Sequence, residues 1–348
     1  MATHLDPSTR NNGHTYRPGK ELSESRHLYR CNPDSEALLK RQGQDPQAFY
    51  DSVFWGDGMI RVTGREFSGL SESPCYQRGT MSCISCHSMH KESEDTRSKA
   101  SWSDDQLAID MDGDHACTQC HDAEDYGKKH THHDLSSSGS RCYNCHMPHT
   151  SYGLLKAIRG HTIESPDVTT TLKTGRPNAC NLCHLDKTLD WTAEHLAKRT
   201  GKPKVEVPPI HQNTAASAVW LLNGDAGQRA LAAWHMGWEP AMIVSGSGWQ
   251  SPLLADTLTD PYSAVRYIAH KALVKQPGFL AYKYDFVADE AKRLAKQKEA
   301  MGIWLREQRI KIPLPAGPVL LNAQGIRDVD RVQTLIRTRD NRSMRLRE

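Results

Sequence analysis

Apolar residues are spread unevenly along the 348 residues, and their spacing divides the chain. Between residues 205 and 310 they recur at helical intervals. Ala215, Ala216, Ala218, Val219, Trp220, Leu221 and Leu222 predict a helix that stops at Asn223-Gly224. Ala226 to Trp238 predicts a second, with Leu231 and His235 four residues apart, and Pro252 to Leu258 a third. Asp260-Pro261 opens a fourth that carries Val265, Ile268, Ala269 and Leu273 on one face. Asp289 to Gln308 predicts one longer, charged helix.

The remainder is different. Residues 1–74 are polar and punctuated by Asn11-Asn12-Gly13, Arg17-Pro18-Gly19 and Asn32-Pro33-Asp34, so residues 1–30 are expected as polar loop. A short helix is expected from Pro33 to Gln42, and Phe54-Trp55-Gly56-Asp57-Gly58 predicts a turn into a short strand at Met59-Ile60-Arg61-Val62. Residues 75–200 are rich in Ser, Asp, His and Gly and show little amphipathic period. From Arg327 the chain carries Arg327, Arg331, Arg337, Arg339, Arg342, Arg345 and Arg347, expected as a solvated basic tail or a strip for an acidic partner.

The weakly patterned region holds four C-x-x-C-H segments. They are Cys83, Cys86 and His87; Cys117, Cys120 and His121; Cys142, Cys145 and His146; and Cys180, Cys183 and His184. This spacing is the signature of covalent c-type haem attachment. Two thiols two residues apart reach the two vinyl groups of one porphyrin, and the next imidazole lies under the iron. Zinc sites also use C-x-x-C pairs but need no His after the second Cys. Thioredoxin-like pairs normally occur once. The expected cofactors are four covalently bound haem c groups, with His87, His121, His146 and His184 as proximal iron ligands.

Composition agrees with a cofactor-filled core. Only 37% of residues are hydrophobic and five are Phe, so porphyrins would supply apolar surface that side chains lack. The net charge of +3 gives no bias toward nucleic acid or membrane. No run is long enough for a transmembrane segment. Two of ten Cys, Cys31 and Cys75, lie outside the motifs, either as a disulfide or as two thiols. Covalent haem attachment in bacteria takes place outside the cytoplasmic membrane, so a periplasmic or other extracytoplasmic location is expected. The segment Met1 to Asp6 lacks the charged and apolar regions of a signal peptide, which suggests a removed signal or a longer parent protein.

The second axial ligand decides whether a haem only carries electrons or also binds substrate. Eighteen His give a large pool. His90, His130, His133 and His161 form the preferred distal set, with His132 and His115 in reserve. His149 and His195 also lie near the motifs. Met89 and Met147 sit too close to a proximal His to reach the same iron without strain.

Cys145-His146-Met147-Pro148, followed by His161-Thr162-Ile163-Glu164-Ser165-Pro166 and another C-x-x-C-H, resembles the C-terminal half of pentahaem nitrite reductases and related multihaem cytochromes. The resemblance spans roughly residues 80–185. It implies that His161 ligates an earlier haem, at Cys83/Cys86 or Cys117/Cys120, and that one of His130, His132 or His133 serves the haem at Cys180/Cys183. Those reductases carry their catalytic haem on a C-x-x-C-K motif, which this chain lacks. Asp260 to Arg266, with Ala269 and Leu273, resembles a HEAT repeat, an ordinary helical bundle being the alternative.

The expected fold is therefore mainly α with extensive loop: a multihaem cytochrome c core followed by an α-helical, HEAT-like region. The expected domains are an irregular segment at 1–74, a tetrahaem domain at 75–200, a helical domain at 205–310 and a basic tail at 311–348. The expected function is electron transfer between redox partner proteins, within an oligomer or a membrane-associated complex. The alternative is an oxidoreductase with one open haem, acting on a nitrogen or sulfur oxyanion or on hydroxylamine, with Arg141, Arg159, His132 and His149 as candidate donors or anion-binding groups. A scaffolding role built on the helical region is a third reading.

Overall fold

The computed structural model describes residues 2–5, 16–17, 19–20, 24–64, 66–308, 317–322 and 324–344. The fold is mainly helical, with two small antiparallel ladders among the described residues. Ala2–Leu5 pairs with Arg26–Tyr29, so both ends of the expected N-terminal loop are extended and paired. Asn11, Asn12, Gly13 and Pro18 lie outside the described residues. The helix Pro33–Arg41 starts where its sequence predicts, with the Asn32 side chain accepting the Ser35 N–H at 2.9 Å. Met59 to Val62 does not form a strand. It makes only isolated bridges, Phe54 with Ile60 and Val62 with Tyr152.

The second ladder is a hairpin, Ser151–Gly153 against Lys156–Ile158. Its two turn residues, Leu154 and Leu155, both have positive φ, 52° and 55°. Such a turn matches the twist of the paired strands but normally selects Asn or Gly. Leu155 packs against the main core, which helps hold it in this conformation.

The helices after residue 205 follow the apolar pattern closely: Ala216–Leu222, Ala226–Met236, Ser251–Thr257, Ser263–Leu273 and Glu290–Gln308. Asp225 and Gln228 form a reciprocal capping box, each side chain receiving the other's backbone N–H at 3.0 Å. Helix Ala226–Met236 is buried on almost every side. It packs on Ala216–Leu222, on Ser263–Leu273 and on the hairpin. One apolar core runs from Trp55, Tyr152, Leu182 and Leu189 through Trp220 and Leu231 to Leu254 and Ile268. The helices thus form a buttress behind the C-x-x-C-H region.

The C-terminal segment is not a solvated tail. Val329–Arg337 is a helix that buries Val332 and Leu335. Arg331 donates to the Thr214 hydroxyl at 2.6 Å, Arg327 pairs with Asp256, and Arg339 reaches Asp260 at 3.5 Å. The apolar stripe docks the helix, while Arg327, Arg331 and Arg339 find partners on the module behind it. Arg345 and Arg347 lie outside the described residues. Cys31 and Cys75 are both free thiols. No helix among the described residues is long and apolar enough to cross a membrane.

Candidate functional site: four C-x-x-C-H motifs and paired imidazoles

Each motif is a single helical turn. The His N–H donates to the carbonyl of the first Cys in the first, second and fourth motifs, from His87 to Cys83 at 2.9 Å, His121 to Cys117 at 3.0 Å and His184 to Cys180 at 2.9 Å. The third motif forms the helix Cys142–His146. A turn of this kind puts the residues at i, i+3 and i+4 on one face, so both thiols and the imidazole of each motif point the same way. Asn178 caps the fourth motif by accepting the Cys180 N–H, and the Asn181 amide donates to the carbonyls of Lys187 and Thr188.

The imidazoles come in facing pairs. The ring centres of His87 and His161 lie 6.2 Å apart, those of His130 and His146 6.0 Å, and those of His133 and His184 6.1 Å. The ring planes within these pairs are inclined by 26°, 13° and 31°. Direct aromatic stacking would bring two rings closer, toward the short end of the usual range. Two imidazoles on opposite sides of one metal ion, each bonded at about 2.0 Å, place their centres about 6 Å apart.

Tautomers point the same way. The Nδ1–H of His87 donates to the Asp105 carbonyl at 3.0 Å and that of His146 to Glu164 at 3.0 Å. His161 donates to Arg159 at 3.1 Å and His133 to Thr131 at 2.7 Å. A carbonyl only accepts, so Nδ1 carries the proton and Nε2 is left with its lone pair, the arrangement of a metal-bound His. Burial lowers the pKa of His146, His161 and His130, and takes His184 down to about 4. These rings are therefore neutral at pH 7, as ligation requires.

The four motifs follow one another in space as they do in sequence. Gln119 donates to the Ser85 carbonyl at 3.0 Å, joining the first and second. Asp114 accepts the Cys142 N–H at 2.9 Å and pairs with Arg141 at 3.2 Å, joining the second and third. The helix Cys142–His146 packs on Ala179–Cys183, joining the third and fourth. The thiols report the same order. Burial raises Cys86, with Cys120 adding to it. Burial pushes Cys180 and Cys183 up to about 12, with Cys145 next in effect.

Segment 159–164 serves two motifs at once. Its carbonyls anchor His161 and His146, while the Arg159 guanidinium donates to the Tyr143 and Met147 carbonyls and to the Asn144 side chain. Arg159 also lies 4.1 Å from the centre of the Tyr143 ring. Burial lowers its pKa to about 10, and no carboxylate of the described residues pairs with it. It is the kind of cation that a haem propionate would neutralise.

His161, His130 and His133 of the expected distal set thus face proximal imidazoles. His90, His115 and His132 are exposed and face none among the described residues. His121 meets the edge of Tyr126 at 5.5 Å instead of a second imidazole, and Tyr126 in turn meets His130 at 5.1 Å. His195 stacks on Trp191, which packs against His184. His149 is enclosed with Trp234, His235 and Trp238. Arg199, which donates to the His130 carbonyl at 2.6 Å, and the Glu164 carbonyl carry no sequence signal.

Among the described residues no group of three or more His, Cys, Asp and Glu converges to hold a bare metal ion. No family model, curated protein or solved structure matches the chain.

Proposed function

We propose that this chain is a multihaem c-type cytochrome that passes electrons between redox partner proteins outside the cytoplasmic membrane. The observation that carries this reading is the set of three imidazole pairs at 6.0–6.2 Å, each built on the His of a C-x-x-C-H motif. On this reading His87 and His161 hold the iron of the first haem, His146 and His130 that of the third, and His184 and His133 that of the fourth. Bound haem would supply reversible one-electron chemistry, and a site whose two imidazoles are both engaged would be confined to electron transfer. The protein supplies covalent anchors at Cys83, Cys86, Cys117, Cys120, Cys142, Cys145, Cys180 and Cys183. It also fixes His87, His146, His161 and His133 through backbone carbonyls and keeps successive motifs adjacent. The helical module would act as a HEAT-like platform for a partner or a neighbouring subunit.

One observation favours a second reading, an oxidoreductase with one open haem. His121 faces Tyr126 rather than another imidazole among the described residues. Pyridine haemochrome analysis of the exported protein, with electron paramagnetic resonance, separates the readings. Four haems per chain, all low-spin and inert to carbon monoxide, support the carrier. A single high-spin haem that binds carbon monoxide supports the oxidoreductase. Fewer than three low-spin haems would refute the pairing.

A further inference from the structure

His149 and His235 form a fourth imidazole pair that belongs to no C-x-x-C-H motif. Their ring centres are 5.9 Å apart, with planes inclined by 66°. His235 lies on helix Ala226–Met236 and is fully buried. Its Nδ1–H donates to the Leu231 carbonyl one turn earlier, at 2.8 Å. That bond fixes the tautomer, so Nε2 presents a lone pair on the ring edge away from its own helix. Nε2 is buried and has no hydrogen-bond partner, a costly state for a buried polar atom. The aromatic groups around this ring are His149, Trp234 and Trp238. The two indoles also flank His149, with ring centres 4.8 and 5.2 Å away.

We infer that His149 and His235 bind one monovalent soft metal ion, Cu(I), in two-coordinate geometry between their Nε2 atoms. The separation matches that of the three pairs above, and a carbonyl-anchored imidazole with a bare Nε2 is a prepared metal ligand. The ligand count decides the metal. Zn(II) requires about four ligands, and the described residues offer no third His, Cys, Asp or Glu there. Cu(I) is stable with two nitrogens. Charge argues the same way, because Arg159 and Lys156 lie close enough to act on His149 and disfavour a dication more than a monocation. The site lies where the C-x-x-C-H region meets the helical buttress, and it does not depend on the haem assignment.

The test is an anaerobic titration of the haem-loaded Cys31→Ser/Cys75→Ser protein with Cu(I) in ascorbate and a competing chelator. The double substitution removes the two thiols outside the haem motifs. The expected result is one equivalent retained, X-ray absorption showing two nitrogen ligands, and an unchanged Soret band. His149→Ala, on the less buried side, should abolish retention while leaving haem content intact, and His235→Gln should weaken it at least tenfold. No retention by the parent, retention unchanged in His149→Ala, or equal retention of Zn(II) would each overturn the assignment.

Discussion

Arg159→Met tests whether one residue supports two of the proposed haem sites. The substitution keeps the length and apolar stem of the side chain but removes its charge and donors. Arg159 donates to Tyr143 O at 3.0 Å, Met147 O at 3.1 Å and Asn144 Oδ1 at 2.9 Å, all within or just beyond the helix that carries the third motif. Hydrogen bonds to a charged group contribute about 1.5–3 kcal/mol each. The Tyr143 carbonyl keeps the Met147 N–H as an alternative partner, and burying an unpaired guanidinium has its own cost. The net loss should therefore be about 2–4 kcal/mol, well below the sum of the three bonds.

The loss should also have a location. Arg159 clamps the third motif through its side chain, and its carbonyl orients His161, which faces His87 of the first motif. Guanidinium chloride unfolding followed by far-ultraviolet circular dichroism measures the stability. Electron paramagnetic resonance at pH 7 measures the spin state of each iron. The expected outcome is a high-spin fraction at the first and third haems, with the fourth unchanged. Arg159→Lys should retain the charge but not the fork, and should lie between the parent and Met variants. A stability change under about 0.5 kcal/mol, or a spectral change confined to the fourth haem, would refute the coupling.

Other expectations follow from the same geometry. His161→Ala, His130→Ala and His133→Ala should each convert one different haem to high-spin, at the first, third and fourth motifs, while His132→Ala should convert none. The same haem affected by two of these variants would break the assigned pairing. Arg229 and Asp260 are almost wholly buried and joined at 2.7 Å. Asp260→Ala should therefore cost about 3–5 kcal/mol in denaturant unfolding, because it strands a buried cation. Asp256 is buried and its pKa is pushed up to about 6, Arg327 offsetting only part of the burial. A raised folded-state pKa gives stability that is full below the ordinary carboxylate range near 4 and lost as pH rises through 6. Asp256→Asn should accordingly gain stability relative to the parent between pH 4 and pH 7. A parent that gains on the variant over that range would contradict the burial argument.

How much of this arrangement is visible in the sequence depends on which interactions encode it. The four motifs are legible because both thiols and the imidazole of each lie within five consecutive residues, the spacing that the proposed covalent attachment would need. The helices beyond residue 205 are legible because burial imposes their apolar spacing. Which motif each of His130 and His133 faces is not, because a backbone torsion decides it. His132 adopts φ of 58° at the end of the turn Lys128–Thr131. A left-handed residue there reverses the chain, so His130 faces His146 and His133 faces His184 while His132 points to solvent. The hairpin at residues 151–158 is equally hidden, since its turn uses two leucines where Asn and Gly are the recognisable signal. The C-terminal helix was legible in part: Val329, Val332, Leu335 and Ile336 carry its apolar stripe amid the arginines, and charge alone suggested a tail. His235 marks the limit of periodicity. Its spacing from Leu231 places it on a buried helix face, where an apolar residue would serve packing better, and the unpartnered nitrogen becomes visible only when His149 and two indoles close around it from elsewhere in the chain.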